Sequence, residues 1–268
     1  MEESYLKERG IYYRINSFAE DRPTLVFIHG LSGSSSAWLL YEKLFEQKYN
    51  ILTFDIRGHG KSIKLPQYSD YEIEKFAEDL HALILYTKIP KFILISHSFG
   101  SLIALEYIKL YGENVFGNIL LAPVSDLSES FSNKVLGFIL KIFKIINLLP
   151  FKQKKGHHVD YNKYPNSGDW DMKRCYADVS NTTLPVYLNC LRQSLGLPRE
   201  SALEKIKVPT LIIHGLKDTM VAAKNSLIMC KKIEKSEILL LPKANHIIVL
   251  NNFKEVAGAI ESFIEKQA

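Results

Sequence analysis

Phe92-Ile93-Leu94-Ile95-Ser96-His97-Ser98-Phe99-Gly100, running on into Ser101-Leu102-Ile103-Ala104-Leu105-Glu106-Tyr107-Ile108, is the stretch that decides the fold. Its first part is a short apolar run of the kind buried in a sheet, and its last part carries helical periodicity. The five residues Ser96 to Gly100 must therefore turn tightly from strand to helix. A serine in such a turn is held out where a histidine can reach it. The helix that follows aims its first backbone N–H groups at whatever sits beside that serine. These are the conditions for an activated nucleophile. Taken alone, Ser98 reads equally well as a helix N-cap. A base and an acid at comparable places elsewhere separate the two readings.

Outward from this turn, short β-branched and aromatic runs alternate with helical patterns. Strands are expected at Thr24-Leu25-Val26-Phe27-Ile28, Ile51-Leu52-Thr53-Phe54-Asp55, Ile119-Leu120-Leu121, Thr210-Leu211-Ile212-Ile213 and Ile238-Leu239-Leu240-Leu241. Continuous apolar strands are buried on both faces, which means a mostly parallel sheet. Segments 36–48, 70–88, 101–112, 222–234 and 252–266 read as covering helices, giving a doubly wound α/β pattern. Ile11-Tyr12-Tyr13-Arg14-Ile15 reads as an antiparallel edge strand ahead of it.

The alternation stops at Pro123 and resumes at Val208-Pro209. The expected organisation is a core of residues 1–124 and 206–268, with residues 125–205 as a helical cap inserted between two late strands. Within the cap, helices are expected near 130–149, 171–180 and 183–195, with a polar loop near 150–170. Sites in open α/β sheets lie beyond the carboxyl ends of the strands, so an insertion leaving there roofs the site.

Each candidate catalytic residue follows a strand. Ser98 follows 92–95. Asp218, in His214-Gly215-Leu216-Lys217-Asp218, follows 210–213, and His246, in Pro242-Lys243-Ala244-Asn245-His246, follows 238–241. Three loops leaving one edge of a sheet can converge although they are distant in the chain. A serine hydroxyl needs a base to take its proton during attack, and histidine has a suitable pKa. A carboxylate behind the histidine fixes its tautomer and stabilises the imidazolium. Asp126, after the 119–121 strand, is a rival for the acid role.

With these segments the chain resembles the α/β-hydrolase family, in which nucleophile, acid and histidine follow one another in that order. His29-Gly30-Leu31, Asp55-Ile56-Arg57-Gly58-His59-Gly60-Lys61-Ser62 and Leu121-Ala122-Pro123 add to the resemblance, which spans nearly the whole core. One position departs from the family: Ser96 stands where it usually has glycine, two residues before the nucleophile, and serine is small enough for the turn to survive. The resemblance implies a serine hydrolase of carboxylic esters working through an acyl-enzyme, a carboxylesterase or an acylglycerol lipase, without a cofactor. It puts an oxyanion hole at the backbone N–H groups of Leu31 and Phe99. Trp38, Val221 and Ile247 are expected to line the substrate pocket. His29, His59, Asp55 and Arg57 are expected to be structural, His97 to be a packing or hydrogen-bonding residue, and Ser96 and Ser101 to be caps. Thioesterase, perhydrolase and carbon–carbon bond hydrolase remain open on the same residues, as does a ligand-binding protein of the same fold with little turnover. Haloalkane dehalogenase and epoxide hydrolase are disfavoured, because those relatives need a carboxylate where Ser98 stands.

Composition narrows the partners. The 268 residues are 47% hydrophobic and 24% charged, ordinary for a globular chain. A net charge of +5 is too small to argue for nucleic acid. Cys175, Cys190 and Cys230 lack metal-like spacing and read as free, mostly buried thiols of a reducing compartment. The charged start Met1-Glu2-Glu3-Ser4-Tyr5-Leu6-Lys7-Glu8-Arg9 lacks a signal-peptide pattern, and a cytoplasmic location is expected. His157-His158 suggests no third ligand, so no metal is expected. Gly30, Gly33, Gly58 and Gly60 serve turns and make no phosphate loop. The run 130–159 has no acidic residue before Asp160, carries Lys134, Lys141, Lys144, Lys152, Lys154 and Lys155, and is very apolar from Val135 to Leu149. It reads as a lid helix packed on the core, with peripheral contact to anionic lipid as the functional alternative. Either way the substrate is expected to carry an apolar acyl chain.

Overall fold

The computed structural model describes residues 1–124, 155–194 and 203–267, together with Phe138. Asp126 and the basic apolar run, Phe138 and residues 155–159 apart, lie outside the described residues. The strands are β1 (Glu2–Leu6), β2 (Ile11–Ile15), β3 (Thr24–Ile28), β4 (Asn50–Phe54), β5 (Phe92–His97), β6 (Val115–Leu121), β7 (Thr210–Gly215) and β8 (Ser236–Leu241). They form one sheet in the order β1-β2-β4-β3-β5-β6-β7-β8. From β4 to β8 every neighbouring pair is parallel. β2 pairs antiparallel with β4, as expected, but it is not the edge. Glu2–Leu6 folds back on it through a short turn and takes that place. The charged residues of β1 hid a strand, and charge is what an edge strand tolerates. β8 also departs from the expectation of burial on both faces, because it is the other edge: its residues are half-buried or exposed.

The helices are α1 (Leu39–Phe45), α2 (Ile73–Thr87), α3 (Phe99–Tyr111), α4 (Met172–Thr182), α5 (Leu184–Gln193), α6 (Ala223–Lys232), α7 (Ile248–Asn251) and α8 (Phe253–Gln267). Side chains alternate across the pleat, so each central strand feeds two cores. Val26, Ile28, Phe92 and Leu94 join residues of α2, α3 and α6 on one face. Leu25, Phe27, Ile93 and Ile95 join residues of α1 and α8 on the other. This division is why the strands read as unbroken apolar runs. Cys190 packs in the first core, whereas Cys175 and Cys230 are only half-buried. The expectation of mostly buried thiols therefore holds for one of the three.

The topology makes one place special. From β3 the chain winds outward to β4, then crosses back to β5 on the other side of β3. The crevice beyond the carboxyl ends of β3 and β5 is thus a switch point, where ligands of such sheets bind. Ile28 and Ser96 are register partners there, so the loops after His29 and His97 leave side by side. No helix among the described residues is long and apolar enough to cross a membrane.

Candidate active site

At the end of β5 the chain turns through Ser98, with φ +50° and ψ −118°. A non-glycine residue in that region is strained and must be held by its surroundings. Its N–H donates to the Leu121 carbonyl at 2.9 Å. Ser96 and Ser101 differ from the expectation of caps. The buried Ser96 hydroxyl points across the sheet to the Ile119 carbonyl at 3.5 Å. Ser101 donates to the Ser98 carbonyl at 2.6 Å and accepts from the Val124 N–H at 3.1 Å, tying the turn to the end of β6. Gly100 must be glycine, because a Cβ there would lie 2.6 Å from the His29 carbonyl. That contact brings α3 against β3 and sets Ser98 beside the Gly30-Leu31 loop.

The Asp218 loop is shaped by its own carboxylate. Oδ1 accepts from the N–H groups of Met220 and Val221 at 2.8 and 2.7 Å. Gly215 lets this loop press on the next, since a Cβ there would run into the Ala244 carbonyl, and the Lys217 N–H donates to that same carbonyl at 2.9 Å. The loops carrying Asp218 and His246 are therefore joined before their side chains meet.

His246 Nε2 lies 2.9 Å from Ser98 Oγ, and His246 Nδ1 lies 2.7 Å from Asp218 Oδ2. A carboxylate can only accept, so Nδ1 carries the proton and Nε2 is free to accept from the serine hydroxyl. Burial alone would raise the Asp218 carboxyl. Hydrogen bonds from His214 and His246, with the histidine charge and the Val221 N–H, outweigh it and hold the group well below the ordinary carboxylate range. His214 escaped the sequence reading. Its Nε2 lies 3.1 Å from both the Val221 carbonyl and Asp218 Oδ2, while the Ser226 hydroxyl donates to Nδ1 at 2.6 Å. The signal available was its place near the end of β7, four residues before Asp218.

The other ring beside Ser98 is held neutral. His97 is pushed down to about 3 by burial first and then by the neighbouring His246. It donates from Nε2 to the His246 carbonyl at 2.9 Å. Leu31 N–H has no acceptor among the described residues. Phe99, the first residue of α3, carries one of the unpaired N–H groups of a helix start.

A cavity of about 360 Å³ opens over these groups. Trp38, Val221 and Ile247 line it, although Trp38 is fully buried and belongs equally to the α1-side core. Its roof comes from the segment between β6 and β7, through Tyr161, Trp170, Met172, Arg174, Asp178 and Tyr187 among others. Within this roof Arg174 Nη1 pairs with Asp178 at 3.0 Å and the Tyr161 hydroxyl donates to Asp178 at 3.1 Å. Burial raises Asp178 to about 6, against the pull of Arg174 and Tyr161. Arg174 and Asp178 stand four apart on α4, a spacing that the helix expected near 171–180 already allowed, but nothing in the sequence brought Tyr161 to them.

The remaining residues singled out from sequence hold loops. Asp55 accepts from the N–H groups of Ser35 and Lys61, each at 2.7 Å, and from His158 Nε2 at 2.8 Å. Arg57 forks onto Asp79 at 2.6 and 2.7 Å. His29 accepts from the Ile56 N–H at 3.1 Å, and His59 donates to the Arg57 carbonyl at 2.9 Å. The His157 backbone N–H donates to Asn181 Oδ1 at 3.0 Å, whereas the ring of His158 bonds Asp55. Among the described residues no group of three or more His, Cys, Asp or Glu side chains is arranged to hold a metal.

Comparison with known proteins agrees with this architecture. A model of the alpha/beta hydrolase fold matches residues 23–253. A bifunctional esterase/perhydrolase from Acinetobacter calcoaceticus is 27% identical over 218 residues, covering 75% of this chain and 76% of its own. A 3-oxoadipate enol-lactonase from Acinetobacter baylyi is 21% identical over 247 residues, covering 92% and 90%. Among solved structures, an alpha/beta hydrolase enzyme from a Medee basin deep-sea metagenome library superposes with a TM-score of 0.75 at 19% identity, over 95% of this chain and 94% of that one.

Proposed function

The chain belongs to the alpha/beta hydrolase fold family, and on that premise we propose that it is a serine hydrolase of carboxylic esters acting through an acyl-enzyme on Ser98. The observation that carries this reading is the unbroken relay of Ser98 Oγ, His246 and Asp218, with heavy-atom separations of 2.9 and 2.7 Å. Ser98 attacks the ester carbonyl while His246 Nε2 takes its proton. The carbonyl oxygen becomes an oxyanion beside the N–H groups of Leu31 and Phe99, each donor of this kind being worth about 3 kcal/mol of barrier. His246 then gives its proton to the departing alcohol. Water repeats the sequence on the acyl-enzyme and frees Ser98. Asp218 keeps the imidazole oriented and balances its charge while it is protonated.

The substrate class follows from the walls. Most of the cavity lining is apolar, with Leu31, Trp38, Met172, Val179, Val221 and Ile247 among it, which suits an acyl chain of modest length. Residues 1–124 and 206–268 then act as the catalytic core, and residues 125–205 as the cap that selects the ester. A relative that carries the name esterase/perhydrolase is in keeping with ester chemistry on this fold. A p-nitrophenyl ester series of increasing acyl length tests the reading. Turnover is expected with an optimum at short to medium chains and its loss in Ser98→Ala. A wild-type protein that hydrolyses none of the series would contradict it.

A further inference from the structure

We propose that Asp169 is a positioning residue for this reaction: one carboxylate from the cap segment grips the loop of the acid and the loop of the histidine together. The inference rests on the serine-hydrolase reading. Asp169 Oδ1 accepts from the backbone N–H of His246 at 2.8 Å. Its Oδ2 accepts from the N–H and the hydroxyl of Thr219, the residue after Asp218, at 2.8 and 2.7 Å. Asp169 is 5% exposed. A charge so deeply withdrawn from water is tolerated only when its lone pairs are satisfied, and these three donors satisfy it.

The turn that presents Asp169 is itself held on both sides. Arg174 Nη2 donates to the Asp169 carbonyl at 2.8 Å, and Arg174 Nε donates to Ser167 Oγ at 2.9 Å. The side chains of Asn245 and Asn251 donate to the Ser167 carbonyl at 3.0 and 2.8 Å, from immediately before and shortly after His246. Trp170 Nε1 donates to Thr219 Oγ1 at 3.0 Å. Residues 167–170 thus form a polar splint lying across both loops. Asp169 is the one member with a separate oxygen on each.

The consequence is geometric. His246 bonds Ser98 and Asp218 through opposite ends of one ring, so sliding its loop past the acid loop lengthens one bond or the other. A misplacement of about 1 Å costs on the order of a hundredfold in rate. Asp169 touches neither substrate nor reacting atoms in this scheme. Its loss should therefore appear in the chemical step and leave substrate binding nearly intact.

The test compares wild type with Asp169→Asn, Asp169→Ala, Thr219→Val and the double variant Asp169→Asn with Thr219→Val. It measures the rate of phosphonylation by a fluorophosphonate, kcat and KM on p-nitrophenyl butyrate, and the thermal midpoint. Asp169→Asn should lower both the phosphonylation rate and kcat by about ten- to a hundredfold, with KM within about twofold of wild type. Thr219→Val, which keeps its N–H contact, should lose less. The double variant should lose little more than Asp169→Asn alone, because the two share one interaction. Folded Asp169 variants with unchanged labelling and kcat would overturn the proposal. So would a raised KM at unchanged kcat, which would make Asp169 only part of the pocket wall. Should neither Asp169 variant fold, Thr219→Val decides, and an unaltered kcat there counts against the proposal. Wild type that resists the probe overturns the hydrolase reading and this inference with it. Labelled wild type with equally labelled Asp169→Asn overturns this inference alone.

Discussion

The Ser98 turn and the Asp169 turn stand on opposite sides of His246 and are built by different means. Backbone sets the first. Sheet register puts Ile28 beside Ser96, Gly100 brings α3 against β3, and the Leu121 carbonyl holds the Ser98 N–H. The second is set by side chains reaching far along the sequence: Asp169 to Thr219 and His246, and Asn245 and Asn251 to Ser167. The difference lies in where precision comes from. A strand-to-helix turn inherits its geometry from the whole sheet, whereas a loop-borne histidine needs a brace of its own.

That contrast orders the expected effects of substitution. The largest belongs to the backbone-built side. Ser98→Ala should lower turnover of a p-nitrophenyl ester by about a million-fold, by the precedent of a serine protease, while the thermal midpoint stays near wild type. A residual rate within tenfold of wild type would mean that the strained turn serves something other than attack. Next comes the acid. Asp218→Asn should cost about ten-thousandfold in kcat, because an amide cannot hold His246 in the tautomer that leaves Nε2 free.

His214 sharpens the comparison, since it belongs to the braced side but acts through Asp218. Its replacement by glutamine should lower kcat by roughly tenfold and cost stability by an amount that is constant above the ordinary carboxylate range and shrinks below it. The carboxyl of Asp218 lies below its ordinary value partly through His214, so the native state holds that proton more weakly than the unfolded chain does. Its contribution is present above the ordinary carboxylate pKa and is lost as the pH falls toward the folded value. A pH series of unfolding free energy on the variant checks this: the deficit should be the same at pH 8 and pH 5 and shrink below about pH 4, and a deficit that grows as the pH falls to 3 would count against it.

The smallest effect concerns the roof. Asp178 is raised to about 6, so its linkage runs the other way. The folded state binds the proton more tightly, and the associated stability is complete below about pH 4 and gone once the pH has risen past 6. Urea unfolding of Asp178→Asn should therefore move in the variant's favour between pH 4 and pH 8, by up to about 3 kcal/mol. A difference that does not vary with pH would mean that Arg174 keeps the carboxylate charged throughout.

The same contrast explains what could be read from the chain. Apolar runs and helical periodicity report the sheet, and the sheet fixes where loops leave. The strand-following positions of Ser98, Asp218 and His246 were therefore legible before any coordinates, and so was the α/β architecture. β1 was not, because Glu2–Leu6 is an edge strand whose charges face water and carry no apolar pattern. His214 and Asp169 stayed hidden for a different reason. Their roles come from hydrogen bonds between loops, and nothing in Gly168-Asp169-Trp170-Asp171 marks which aspartate caps a helix and which braces a histidine. In the structure Asp171 caps α4, while Asp169 faces the other way.

The most direct measurement is site mapping of fluorophosphonate adducts by peptide mass spectrometry, on wild type and on His246→Ala. Phosphonyl is expected on Ser98 of the wild type, with a rate in His246→Ala lowered by several orders of magnitude. Modification at another residue, or labelling of Ser98 at an undiminished rate without His246, would contradict it.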